Sequence, residues 1–269
     1  MAEDAPTPPA RRASSSDDLQ LSLPRLLVIR VWSLGLDAVN RLWDLLVLAL
    51  RPHLLPAYLR LWLREVLVSP YRPRRSFELI RVLRASGQDF HELMYGETPV
   101  HTALSLFRKA GVTKHSRLVD LGAGRGRALL AARWLGAEAL GIELLEQHVA
   151  LASGPLGGTG AVLRQGDAAL LDLSPGDATH VLVNWTAFAP DTRARLIARL
   201  RACRPGTRVL TVTRPVETEG FTVLSHHRAL FTWGVESVWV HEVREAGTPK
   251  PEGAFREAQR IRLNGGFRS

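Results

Sequence analysis

The stretch RLVDLGAGRGRALLAA, residues 117–132, decides the fold. An apolar run predicts a strand that ends near Asp120, and the apolar residues at the far end predict a helix. Between them, Gly122, Gly124 and Gly126 predict a turn in which the backbone can approach a ligand closely, beside the free N–H groups of the helix. A nicotinamide-binding turn needs G-x-G-x-x-G, and the third glycine here comes one residue early. The turn therefore indicates a different ligand.

From Arg117 onward, short apolar runs alternate with helical patterns. This alternation predicts a mostly parallel, doubly wound α/β sheet of the Rossmann type, closed by an antiparallel C-terminal hairpin. We predict strands at 117–121, 137–142, 161–165, 180–184 and 207–212, helices at 127–135, 145–152 and 191–203, and the hairpin over 221–243.

Two carboxylates follow the second and third predicted strands. Glu143 ends the second strand, where a carboxylate can accept hydrogen bonds from both hydroxyls of a ribose. Asp167 follows the third strand, where an acid can accept a hydrogen bond from an adenine amino group. Nicotinamide enzymes also carry an acid at the first of these positions. The glycine turn followed in order by these two acids indicates a nucleoside-containing cofactor other than a nicotinamide dinucleotide.

The fourth predicted strand ends at Asn184, on the edge of the sheet that faces the ligand crevice. An amide at this place can orient an amine through hydrogen bonds without itself titrating. Trp185 and Phe188 follow, and two aromatic side chains there would wall a narrow substrate channel.

These elements together resemble the class I S-adenosylmethionine-dependent methyltransferases, whose cofactor turn has the spacing D-x-G-x-G-x-G. Over about residues 90–243 the resemblance narrows to the non-SET histone-lysine methyltransferases of the disruptor-of-telomeric-silencing class. The chain is similar, more loosely, to mitochondrial lysine methyltransferases that modify carrier and ATP-synthase c-subunit proteins and carry an apolar N-terminal segment. The stretches that carry the resemblance are YGETPVHTALSLF (95–107), LVDLGAGRG (118–126), the Glu143 strand, GDAALL (166–171), VNWTAFAPDTRARLIARL (183–200) and FTWGVESVWVHEV (231–243).

The resemblance implies S-adenosylmethionine as the cofactor and assigns a role to each matching residue. Glu97 and Thr98 would contact its amino-acid end, and Asn184 would lie beside the transferred methyl group. Tyr95 would close the site. The implied cofactor-binding residues are Glu97, Thr98, Asp120, Gly122, Gly124, Gly126, Glu143 and Asp167.

The chain departs from this family in the substrate channel. Trp185 stands where the family has a second Asn, and Thr186 where it has Phe, while the aromatic at the end of the lysine channel falls at Trp239 or Val240. We predict N-methylation of a lysine or another amine of a protein. A small-molecule or lipid methyltransferase at a membrane surface, and a cofactor-binding scaffold without catalysis, stay open. No metal is required, and no histidine stands out as a general base.

The segment before the domain has a different character. Residues 21–90 predict amphipathic helices, broken near Pro52 and Pro56, that either cap the core or lie through residues 21–75 on an anionic membrane, with Trp32, Trp43 and Trp62 at the interface. Its uncharged stretches are shorter than the roughly 18 residues that a spanning helix needs. We further predict a disordered tail over 1–20, the methyltransferase domain over 91–245 and a loose tail over 246–269.

Composition limits the partners and the compartment. The formal net charge of +9 favours acidic partners such as an anionic membrane or nucleic acid. Nucleic acid is possible but not favoured, because NWTA (184–187) lacks the prolines of the N/D-P-P-Y/F stretch of base amino-methylases. The single cysteine, Cys203, excludes an intrachain disulfide and fits a reducing, cytoplasmic location, with membrane association left open.

Overall fold

The computed structural model describes residues 23–68, 97–170, 178–185 and 188–245. Both predicted tails, 1–20 and 246–269, lie outside these ranges, as do residues 69–90 of the predicted helical segment. So do three residues named above, Tyr95, Thr186 and Ala187.

Six α-helices and seven strands make up the described parts. The helices are α1 (Leu23–Ala49), α2 (Leu55–Val68), α3 (Val100–Lys109), α4 (Arg127–Trp134), α5 (Glu146–Gly157) and α6 (Pro190–Arg201), with a short 3₁₀ turn at Pro52–Leu54 between α1 and α2. The strands are β1 (Arg117–Leu121), β2 (Glu138–Glu143), β3 (Ala161–Gln165), β4 (His180–Asn184), β5 (Arg208–Val212), β6 (Phe221–Phe231) and β7 (Gly234–Val243).

All seven strands form one sheet in the order β3-β2-β1-β4-β5-β7-β6. The first five pair in parallel, and β7 is antiparallel to both β5 and β6. The strand order reverses direction between β1 and β4, which creates a crevice at their carboxyl ends. The predicted fold class is confirmed: a Rossmann-like, mostly parallel sheet with an antiparallel C-terminal hairpin.

The two faces of the sheet have different covers. Leu118, Leu182 and Leu210 point to the face on which α3, α4 and α5 pack, and this core also takes in residues of α1 and α2. Their sequence neighbours alternate to the other face, as strand geometry requires. There Val181 and Val209 meet Leu196 and other residues of α6.

The connection from β5 to β6 is a loop, residues 213–220, instead of a helix. Phe221 pairs with Val243 at the amino end of β5, so this loop runs back across the sheet. It is tied to β7, because the Val216 N–H donates to Nε2 of His241 at 3.0 Å. Nδ1 of His241 lies 3.2 Å from the Val209 carbonyl oxygen, which identifies it as the protonated nitrogen. Burial lowers the pKa of His241 to about 4, so the ring is neutral.

The N-terminal helices attach to the domain through polar contacts. Asp44, fully buried on α1, accepts hydrogen bonds from the His101 backbone N–H at 2.8 Å and the Tyr58 hydroxyl at 3.1 Å. Asn40, on the same side of α1, donates to the Phe231 carbonyl at 3.3 Å. Within the described residues, neither of these helices nor any other is long and apolar enough to cross a membrane.

Candidate active site

The glycine turn follows β1 directly and has the backbone that its sequence requires. Gly122, Gly124 and Gly126 all have positive φ angles, of 83°, 54° and 76°. Side chains rarely tolerate that region, which explains three glycines so close together. The N–H groups of Gly122 and Ala123 both donate to the Ile142 carbonyl of β2, at 2.9 and 3.0 Å. This pair of bonds fixes the turn against the neighbouring strand.

Glu143 is the last residue of β2, and its carboxylate is bound to the turn. The Gly124 N–H donates to Oε2 at 2.7 Å, and the Leu145 N–H donates to Oε1 at 3.0 Å. Nδ1 of His148 lies 3.5 Å from Oε1. Burial on its own would raise the pKa of Glu143. The hydrogen bond and charge of His148 and the two backbone bonds outweigh it and lower the pKa, so the site holds a carboxylate anion.

Asp120 has the opposite electrostatic character. It is buried at the end of β1, and desolvation together with the nearby charge of Glu143 raises its pKa to about 7. Two acids at one sheet edge with pKa values moved apart are typical of a functional site. The pair therefore presents one charged carboxylate and one that titrates near neutrality.

Asp167 lies at the same edge of the sheet. Gln165 of β3 is in register with Glu143 of β2, and Asp167 follows two residues later. Oδ1 of Asp167 accepts a hydrogen bond from the Ala169 N–H at 2.8 Å, which fixes the half-buried side chain in its turn. The structure thus brings Asp120, Glu143 and Asp167 to the carboxyl ends of three adjacent strands.

Asn184 ends β4, next to β1 in the sheet, and two aromatic residues follow it. Trp185 is buried, and its ring meets that of Phe188 edge-on with centroids 6.3 Å apart. The indole Nε1 of Trp185 has no hydrogen-bond partner among the described residues. Phe188 also covers the turn, because a Cβ atom added to Gly122 would come within 3.0 Å of its Cζ. The predicted channel aromatics and the glycine turn are therefore direct neighbours.

Trp239 lies apart from this cluster. It is paired in register with Thr211 of β5 and His226 of β6, and its ring centroid is 4.9 Å from that of His226. Asn184 is in register with Val212, and Val212 with Val238. Because strand side chains alternate, Trp239 points to the other face of the sheet, two strands from Asn184. Its part in a substrate channel stays a prediction.

Glu97 comes to the glycine turn from the segment that precedes α3. Its carboxylate contacts Nε of Arg125 at 2.6 Å and Nε of Arg127 at 2.9 Å. Its backbone N–H donates to the hydroxyl of Thr232, in the tip of the β6–β7 hairpin, at 3.2 Å. Thr98 follows, half-buried. The predicted contact of both residues with the amino-acid end of a cofactor stays a prediction.

Glu65 of α2 completes a buried group of four charges that the sequence analysis missed. It accepts from Arg125 and from Arg127, each through one terminal guanidinium nitrogen at 2.6 Å. Each arginine thus bridges Glu65 and Glu97, and we call this group the arginine–glutamate tetrad. Arginines are almost never fully buried without partners, so two of them inside an apolar turn were a usable sign that carboxylates pack nearby.

Of the comparisons with known proteins, only the one with solved structures finds matches. No family model matches the chain, and no curated protein matches it. Solved structures do match. One is TrmN from Thermus thermophilus, at 22% identity and a TM-score of 0.47; the match covers 57% of this chain but only 51% of that one. The described residues hold no group of three or more His, Cys, Asp or Glu side chains placed for a metal ion.

Two further solved structures were determined with cofactor-like ligands. An RNA methyltransferase from Salinibacter ruber, in complex with S-adenosyl-L-homocysteine, is 27% identical with a TM-score of 0.43; the match covers 58% of this chain and 97% of that one. The glycopeptide N-methyltransferase MtfA, complexed with sinefungin, is 16% identical with a TM-score of 0.47, over 56% of this chain and 96% of that one.

Proposed function

We propose that the protein is an S-adenosylmethionine-dependent methyltransferase of class I. The observation that carries the proposal is the bond between Gly124 and Glu143, which joins a positive-φ glycine turn to a charged carboxylate at the end of the adjacent strand. That carboxylate is an acceptor already oriented by two backbone donors, and Asp167 lies one strand further along. The described residues fit a nucleoside cofactor whose non-nucleoside part passes over a turn that has no Cβ atoms at its glycines.

Each residue has a distinct task in this proposal. Glu143 accepts hydrogen bonds from the ribose hydroxyls, and Asp167 accepts one from the adenine amino group. The glycine turn passes close to the methionine part, because no Cβ atoms stand in the way. When bound, the cofactor supplies a methyl group on a sulfonium that an amine can attack. Phe188 and Trp185 exclude water from the place where that attack occurs.

The acceptor that we propose is the side-chain amine of a lysine, or another amine, of a protein. Asn184 supports this, because its amide oxygen can accept a hydrogen bond from a neutral amine and hold the nitrogen lone pair toward the methyl group. A neutral amide adds no charge that would stabilise the protonated amine, which cannot act as a nucleophile. The aromatic walls favour a long aliphatic chain that ends in nitrogen.

Calorimetric titration with S-adenosylmethionine and S-adenosylhomocysteine tests the cofactor. We expect wild type to bind and Glu143→Ala to lose at least about tenfold in affinity, since hydrogen bonds to a charged group contribute roughly 1.5–3 kcal/mol. Glu138→Ala is the matched control, because this acid begins the same strand, is exposed and forms an ion pair with Arg117. Absence of binding to folded wild type would refute the proposal.

Transfer of a radiolabelled methyl group tests the acceptor. We expect incorporation into lysine-containing proteins, at a rate that Asn184→Ala lowers about a hundredfold or more while cofactor affinity changes little. Incorporation into lipid or small molecules alone would favour the lipid or small-molecule alternative. Cofactor binding without methyl incorporation into protein, lipid or small-molecule fractions would favour the non-catalytic scaffold and would refute the proposed methyltransferase activity.

A further inference from the structure

Helix α1 carries its polar and apolar side chains on the opposite sides from those of an ordinary amphipathic helix. Asp37, Asn40, Arg41 and Asp44 share the side that faces the domain, and Asn40 and Asp44 are fully buried. The opposite side is apolar and open to solvent. A surface helix of a globular protein normally buries its apolar stripe. The inversion indicates that the outer side of α1 has an apolar environment of its own.

This outer side has many exposed apolar positions, and α2 exposes others. Its exposed positions on α1 follow helical spacing, with Trp32, Leu42 and Leu46 among them. Trp32 is 68% exposed and Leu42 is 58% exposed. On α2, Trp62 and Leu63 are also exposed. A soluble monomer rarely shows such an apolar patch, and patches of this kind mark interaction sites. We call these side chains of α1 and α2 the outer face.

The charges around the outer face all have one sign. Among side chains described between residues 28 and 67, each acid is turned toward the protein or paired. Asp37 binds Arg41 at 2.7 Å, Asp44 binds His101 at 2.8 Å and Glu65 belongs to the tetrad. The exposed arginines are those at positions 51, 60 and 64. Of these, Arg51 also lies over the Trp134 ring and Arg64 also donates to the Leu151 carbonyl at 3.2 Å. The Asp37 side chain is 39% exposed but is paired with Arg41. Tryptophan with arginine, and without an exposed carboxylate other than this paired one, is the composition of a helix that lies in an anionic membrane interface.

We propose that the outer face lies on the surface of an anionic lipid bilayer, with Trp32, Trp43 and Trp62 at the level of the headgroups. The net charge of +9 agrees with attraction to such a surface. A second copy of the chain fits less well, since it would offer the same exposed arginines and, from the described parts of α1 and α2, one exposed carboxylate, that of Asp37, which already pairs with Arg41. The proposal does not depend on methyl transfer, because membrane binding is measured without cofactor.

Sedimentation of the full-length protein with vesicles tests the proposal. We expect binding to mixed phosphatidylcholine–phosphatidylglycerol vesicles and much weaker binding to pure phosphatidylcholine. The double variant Leu42→Glu, Leu46→Glu should bind at least about tenfold more weakly, because two apolar contacts become repelled charges. Arg60→Gln should weaken binding about fivefold on anionic vesicles alone, at roughly 1 kcal/mol per arginine.

A matched control separates the outer face from exposed apolar residues in general. Val162→Glu, Leu224→Glu alters two side chains of similar exposure, 44% and 45%, on the sheet. This variant should bind vesicles within about twofold of wild type, as surface changes elsewhere have small effects. Thermal unfolding of each variant checks that it folds. No binding of wild type to anionic vesicles would overturn the proposal, as would equal binding by the Leu42 and Leu46 variant. If wild type self-associated without binding vesicles, and the Leu42 and Leu46 variant lost this self-association, the outer face would instead be an interface with a second copy of the chain.

Discussion

Helix α1 and the strands of the sheet dispose their side chains in opposite ways. In the sheet, apolar residues such as Leu118 and Val181 are buried, and the acids Asp120 and Glu143 lie at the carboxyl ends of their strands. On α1, the buried positions include Asn40 and Asp44, and the solvent side is apolar. The sheet domain is thus assembled by the hydrophobic effect. Its helical attachment adds, to apolar contacts through residues such as Leu48 and Leu61, hydrogen bonds and ion pairs that are specific in geometry.

We expect the largest loss in the free energy of unfolding for a change at Glu65, which belongs to the polar attachment of the helices. Glu65→Ala leaves Arg125 and Arg127 with one carboxylate between them, and breaking a buried ion pair costs about 3–5 kcal/mol. The free energy of unfolding in urea measures this loss. Asp37→Ala is the control, because it removes a more exposed pair with Arg41, which keeps its contact with Glu65 at 3.5 Å, and it should cost less than about 1 kcal/mol. Equal losses in both variants would show that the tetrad is not the attachment we describe.

The next effect concerns His241, whose ring is hydrogen-bonded to the Val216 N–H and the Val209 carbonyl within the sheet domain. Its pKa in the folded protein is about 4, against an unfolded value of about 6.5, so the unfolded chain binds more protons between these values. Stability from this group is present above pH 6.5 and is lost as the pH falls toward 4. We expect the stability advantage of wild type over His241→Gln to shrink by about 3 kcal/mol across that window. Urea unfolding at several pH values measures it, and an advantage independent of pH would contradict the assignment of a neutral ring.

The smallest effect tests the close packing under the glycine turn. A Cβ atom on Gly126 would lie 2.7 Å from Cδ1 of Leu156, at a φ of 76°. We expect Gly126→Ala to destabilise the protein by about 2–3 kcal/mol, through backbone strain and overpacking. Gly157→Ala is the counterpart, since its Cβ would meet nothing within 4 Å, and it should be neutral or stabilising by up to about 1 kcal/mol. Thermal melts of the pair give the comparison, and similar melting temperatures would count against the described packing.

The sheet and the site acids follow closely from the sequence, because their signals are local. Period-2 apolar runs predicted each strand to within a residue at most ends, and acids at strand ends must meet at one edge of a parallel sheet. Glu143 is an example: the sequence places it at the strand end, and the structure adds only its bonds to Gly124 and Leu145.

Other features depend on contacts between distant parts of the chain, and no local pattern carries them. Glu65 and Arg125 are sixty residues apart, and although two arginines in the glycine turn indicate carboxylate partners, the sequence does not show which acids these are. On α1, periodicity shows two sides but not which side faces the domain, because that choice depends on Asp44 meeting His101 and Tyr58. The loop that replaces a helix after β5 is held by hydrogen bonds to residues distant in sequence. The Val216 N–H donates to His241 and the Thr213 N–H donates to the Ser237 carbonyl, and sequence alone predicts neither bond.

The tetrad also sets the electrostatic field at the cofactor turn. Arg125 lies between two of the turn glycines, and an unpaired guanidinium there would repel any ligand with a positive centre. Glu65 and Glu97 supply two negative charges against the two positive charges of Arg125 and Arg127, so the formal sum is zero. The sulfonium of the proposed cofactor would therefore meet a turn that contains arginine yet is electrically balanced, with the charge of Glu143 left over to attract it.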